Sequence, residues 1–168
     1  MSNGELLDRS RQLAREELDA IRWEALNVPL SDETKNNYEP LLCWVCEEDL
    51  LGARLGNVVW AKNSDQVVTP RYTDVFWVCK GGCDKVMQAA LHVLKYSSPW
   101  ADVKDLKNPL EHKRWAEVTS RQIERGEISE TAAAKISELL RITAPLADRE
   151  PTPEDLARFQ QILDLRSL

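Results

Sequence analysis

Two short cysteine pairs, Cys43-Trp-Val-Cys46 and Cys79-Lys-Gly-Gly-Cys83, carry the most specific chemistry in this chain of 168 residues, and they account for all 4 of its cysteines. Each pair can offer two thiolates from one turn, and the chain between them has only to bring the turns together. That spacing suits a tetrahedral four-sulfur metal site, with Zn2+ as the default occupant and iron as the alternative. Free or redox-active thiols are the metal-free reading, which two such close pairs disfavour. Four thiolates complete a tetrahedron and leave no position for a substrate, so the expected metal is structural.

The elements that must position these sulfurs can be read nearby. Asn57–Ala61 and Tyr72–Val78 are β-rich runs, with polar residues 62–66 between them and a short Val67–Thr69 extension before Pro70. Cys79 ends the second run. Cys83 opens an expected helix over 84–95, whose apolar residues (Val86, Met87, Ala90, Leu91, Val93, Leu94) occupy more than one face and mark it as the core helix. Gly81 and Gly82 permit the sharp reversal between strand and helix. A ligand at a helix N-terminus also gains from the partial positive charge there, which favours thiolate over thiol.

A cysteine knuckle, a β-hairpin and a ligand at a helix start, over about residues 41–96, resemble the architecture of treble-clef zinc fingers. Glu47 follows Cys46 where such knuckles often carry glycine, and the second pair is one residue wider than usual. The resemblance implies one zinc ion held by Cys43, Cys46, Cys79 and Cys83. A −2 charge on zinc and four thiolates would draw on Lys80, Lys85 or Arg71 for compensation.

Catalytic signatures are missing. Some treble-clef proteins are nucleases, but those need a histidine base in the hairpin and helix, and neither of the 2 histidines, His92 and His112, lies between the cysteine pairs. His92 is expected to be packed or at the surface and His112 solvated. The sequence contains no His-x-Glu with Pro-Cys-x-x-Cys, no glycine-rich phosphate loop and no nucleophile elbow. The reading is therefore not an enzyme.

Binding is the other option. Among 6 tryptophans, Trp60 and Trp77 lie on the two β-runs with Lys62, Arg71 and Lys80 nearby, a set that could stack bases or grip a peptide, or could simply fill a small core. A net charge of −6 with no basic region argues against a strong nucleic-acid footprint and for protein partners. The sequence offers no long apolar span and no signal-peptide pattern, which with reduced thiols suggests a cytoplasmic protein.

Around the metal segment, residues 4–26 have the pattern of an amphipathic helix, including Trp23, and 27–40 that of a linker. Residues 100–168 read as about three helices: Pro109 to about Glu124, a second from Ser129 to Arg141, and a third from Thr152 toward Leu165. The expectation is a single α+β domain with a small treble-clef-like zinc core (41–96), one N-terminal helix and a C-terminal helical region (100–168). Its expected function is that of a non-catalytic adaptor or regulator working through protein contacts; the alternative is nucleic-acid recognition by the hairpin and core-helix surface.

Overall fold

The computed structural model describes residues 39–166 except 53 and 66; the expected helix over 4–26, with Trp23, and nearly all of the linker lie outside the described residues. The described residues form an antiparallel four-stranded sheet with four α-helices. Strands β1 (Gly56–Asn63) and β2 (Tyr72–Cys79) form the hairpin read from sequence. Helix α1 (Cys83–Val93) follows at once. The chain then adds two strands, β3 (Tyr96–Ser97) and β4 (Trp100–Asp102), and a 3-10 turn at Val103–Lys107. Helices α2 (Pro109–Glu124), α3 (Glu130–Ala147) and α4 (Pro153–Arg166) complete it.

β1 is the central strand. One edge pairs with β2 from Gly56↔Cys79 to Lys62↔Tyr72, with a bulge between Ala61 and Lys62. Its other edge pairs with β3 at Lys62 and Asn63 and with β4 from Asn57 to Val59. The expected hairpin is therefore half of a larger sheet. Strands of two and three residues are too short to show an alternating pattern, which explains why β3 and β4 escape sequence reading. The expected Val67–Thr69 extension is instead part of a turn. Asp65 organises it by accepting hydrogen bonds from the backbone N–H of Val67 and Val68, and both valines are exposed.

One apolar cluster runs from Leu41 through β1, β2 and α1 to Ile142. In α1, Val86, Met87, Ala90 and Leu91 are buried, but Val93 is exposed and Leu94 only half-buried, so the helix has one core face rather than several. It stops at Lys95, which adopts the left-handed conformation (φ 66°) and donates its N–H to the His92 carbonyl.

Ser129 shows how a cap can also fasten. Its hydroxyl accepts from Ala132 N, capping α3, and donates to the Thr73 carbonyl of β2 at 2.7 Å. α3 continues past Arg141 to Ala147, with Pro145 inside its last turn, where the lost N–H removes only one bond near the frayed end. Thr152 and Asp155 form a reciprocal cap on α4: Thr152 Oγ1 accepts from Asp155 N, and Asp155 Oδ2 accepts from Thr152 N. Along α4, Ile162 is buried, Phe159 and Leu163 are half-buried, and Leu156 is exposed. His112 is half-buried rather than solvated. Its Nε2 lies 3.1 Å from both the Leu140 carbonyl and the Thr143 hydroxyl, joining α2 to α3.

Candidate metal centre

Residues 41–50 form a small knuckle that folds back on itself. Cys43 N donates to the Glu48 carbonyl at 2.8 Å, Glu47 N to the Cys43 carbonyl at 3.0 Å, and Leu50 N to the Leu41 carbonyl at 2.8 Å. The buried Asp49 carboxylate accepts from Leu41 N and Leu51 N and so clamps both ends of the loop. Reversal after Cys46 requires a left-handed residue, and Glu47 supplies it with φ 65°. For a side chain with a Cβ, that conformation costs about 1–2 kcal/mol. The knuckle is seated on the sheet by Trp44, whose N–H donates to the Trp77 carbonyl and whose ring meets Phe76 and Trp77 edge to face. Close packing also fixes Gly56, opposite Cys79: a Cβ there would come within 3.0–3.1 Å of the Leu50 side chain.

The second pair comes from the other side. Cys79 is the last residue of β2 and Cys83 the first of α1. Of the two intervening glycines, Gly81 is the one the turn requires, with φ 83°. The Gly82 carbonyl accepts from Lys85 N and Val86 N and starts the helix.

These elements bring the four sulfurs together, every ligand atom within 4.8 Å of every other. Cys43, Cys79 and Cys83 are buried and Cys46 is half-buried. Cys46 Sγ and Cys79 Sγ lie 3.3 Å apart. A tetrahedron of metal–sulfur bonds of about 2.3 Å has S···S edges of about 3.8 Å, so the cluster is sized for one ion. Four soft donors and no carboxylate make a donor set suited to zinc or iron rather than to magnesium or calcium.

The surroundings favour negative sulfur at Cys43 and Cys46 and oppose it at Cys79 and Cys83. Val45 N and Cys79 N both donate to Cys43 Sγ at 3.4 Å. Hydrogen bonding from Cys46, and then from Cys79 and Cys83, holds the Cys43 thiol far below its ordinary range. Bonding to Cys43 pushes Cys79 and Cys83 far above theirs, and burial adds to the rise. For Cys46 the bond to Cys43 acts upward, but those to Cys79 and Cys83 outweigh it, and the thiol is lowered. The four sulfurs share their protons as one unit.

Arg54, a residue the sequence reading does not single out, is the cation at this site. It is 5 % exposed, and its Nη1 donates to Cys79 Sγ at 3.7 Å. Its Nε and Nη2 are buried without a hydrogen-bond partner among the described residues. Burying a guanidinium with no facing anion costs several kcal/mol, roughly, so the arginine belongs beside an anionic cluster. Neutral thiols or disulfides would leave that charge uncompensated. The cations expected in this role lie elsewhere: Lys80 pairs with Asp102 at 2.8 Å, Lys85 is exposed, and Arg71 precedes β2 at the opposite end of the hairpin. No sequence pattern marks Arg54, because its approach to Cys79 depends on how the knuckle packs.

The expected partner-binding residues separate. Trp77 is 6 % exposed and packs on Trp44, so it belongs to the core and is not available to a partner. Trp60 stays half-buried beside Tyr72, and Lys62 sits over the Tyr72 ring at 5.7 Å. Lys80 sits over the Trp100 ring at 5.9 Å. No helix among the described residues is long and apolar enough to cross a membrane. Compared with known protein families, with curated proteins and with solved structures, the chain matches none of them.

Proposed function

We propose that the four cysteines hold one zinc ion as the structural centre of a treble-clef-like core, and that the protein is a non-catalytic adaptor acting through protein contacts. The observation that carries this reading is the closed, largely buried four-sulfur set, which joins the knuckle, the end of β2 and the start of α1. Zinc bound there would supply a cross-link and a positive charge among thiolates, with no coordination position left for a reactant. The protein's own residues do the rest: Arg54 offsets the net negative charge, and the N–H groups of Val45 and Cys79 orient Cys43. Both histidines stand away from the cluster in the chain, and His112 is committed to the α2–α3 contact.

Protein contacts are favoured over nucleic acid by the way the basic side chains are used. Lys80, Lys135, Arg114, Arg149 and Arg158 each pair with a carboxylate, and the net charge of −6 further weakens any field for phosphates.

Two measurements test the reading. Native mass spectrometry should find one zinc per chain, with loss of folded charge states after chelation; a folded chain without metal overturns the structural zinc. Affinity purification should then recover a protein partner that resists nuclease and raised salt and is displaced by excess untagged chain. Recovery of nucleic acid that is lost as salt rises would overturn the adaptor reading.

A further inference from the structure

Away from the sulfur cluster, a pocket of about 150 Å3 opens between the sheet and α2. Four aromatic side chains line it: Trp60 of β1, Tyr72 of β2, Trp100 of β4 and Trp115 of α2. Trp60 and Trp115 stack 6.0 Å apart at 21°, and Tyr72 tilts against Trp60 at 5.0 Å. Trp100 is 57 % exposed, the conspicuous exception among residues of its size. Flat rings make up much of the wall, with Arg114, Thr119 and Gln122 as its polar members, and the space suits one ring at a time.

Several polar groups on these walls can donate. The indole N–H of Trp60, the indole N–H of Trp100 and the Tyr72 hydroxyl have no hydrogen-bond partner among the described residues. The backbone adds another donor. Pro99 O accepts from Trp60 N, so by antiparallel alternation the N–H and the C=O of Trp100 both point away from β1, where no other described strand pairs with β4.

Charge narrows the guest. Arg114, in the pocket wall, makes a two-bonded pair with Glu111, and Lys80 beside Trp100 is held by Asp102. A phosphate would find these cations already neutralised. A quaternary ammonium would meet Lys62 over the Tyr72 face and Lys80 over the Trp100 face, both repelling it.

From these features we infer that the pocket binds a proline-rich peptide segment in an extended conformation. Such a segment offers uncharged rings to flat aromatic walls. Its carbonyls lack internal partners and can accept from the indole, hydroxyl and Trp100 N–H donors, while its prolines need no acceptor for an N–H. The inference rests on the adaptor reading and names the chemistry of its partner.

The test titrates the 15N-labelled full-length, zinc-loaded protein with a decaproline peptide blocked at both ends. The indole N–H resonances of Trp60 and Trp100 should shift saturably, while those of Trp44 and Trp77 stay in place. Trp100→Ala should weaken the response at least tenfold with zinc content and spectral dispersion unchanged. No shift, or a shift that survives Trp100→Ala, overturns the pocket assignment. So does a salt-sensitive response of the same indoles to a deoxythymidine decamer when decaproline gives none. If decaproline fails while the salt-resistant partner is still captured, the pocket falls and the adaptor stands; loss of that capture removes the parent reading itself.

Discussion

The β1–β2 hairpin is finished differently at its two ends. At Gly56↔Cys79 it is closed by sulfur, by the Leu50 contact and by a buried arginine. At Lys62↔Tyr72 it ends in a bulge and an aromatic pocket open to solvent. Apart from that bulge the backbone pairing is regular, so most of the difference lies in side chains. The sulfur end gathers groups that are costly to bury unless they are paired, and on the zinc reading proposed above it would depend on the metal for its stability. The aromatic end is stable as ordinary packing and can leave donors unpaired. Substitutions should then be severe at one end and nearly silent in stability at the other.

The largest effect is expected from Cys83→Ser. Structural zinc sites in small peptides contribute about 10–16 kcal/mol, comparable with or above the roughly 5–15 kcal/mol that stabilises a whole domain. The variant should lose its metal and the near-ultraviolet dichroism of Trp44 and Trp77. A Cys83→Ser protein with wild-type dichroism and melting temperature would erase the contrast between the two ends. Acid should act in the same direction: each sulfur must lose its proton to bind, so metal content, followed by mass spectrometry, should fall as pH is lowered from neutral.

Next comes the middle of β2, where Lys135 of α3 pairs with the fully buried Asp74 and lies over the rings of Trp44 and Phe76. Removing one partner of such a pair costs about 3–5 kcal/mol, so Lys135→Met should lower the urea midpoint sharply. Adding Asp74→Asn should recover part of the loss. A double variant no more stable than the single one would place the energy in the ring contacts instead.

Arg54→Met isolates the charge at the sulfur end. Residues that support metal ligands in this way change metal affinity by roughly 10–100-fold, and zinc transfer to a chromogenic chelator should accelerate by at least about tenfold. An unchanged transfer rate would show that Arg54 does not offset the cluster's charge. In the helical region, Thr152→Ala removes only a cap and should cost about 1 kcal/mol, read by thermal melting. Smallest of all, Trp100→Ala should change stability by no more than about 0.5 kcal/mol, because the side chain is mostly in water.

The same division governs what the sequence reveals. Features set by local chemistry are legible: the cysteine spacing, the β-rich runs, the caps at Ser129 and Thr152, and the span of α2. What depends on distant packing is not. Arg54 reaches Cys79 only once the knuckle has folded, and His112 finds α3 across a helix interface. Trp60 and Trp77 look equivalent in the sequence, yet one lines a pocket and the other fills the core. α3 runs through Pro145, where a proline ordinarily signals an end: one N–H is missing, yet the turn still closes through Asp148 N on the Ala144 carbonyl.

The chain order of the sulfurs has a consequence for synthesis. Cys43 and Cys46 leave the ribosome first, and their partners arrive only after the whole hairpin has been made. At about 5–20 residues per second, the early pair waits on the order of seconds with half a coordination sphere. If the site binds zinc as proposed, the nascent protein would be open during that interval to oxidation and to capture of the wrong ion, a hazard that would end once Cys83 emerges. Thiol labelling of ribosome-arrested chains ending before and after α1 should show protection of Cys43 and Cys46 only in the longer ones.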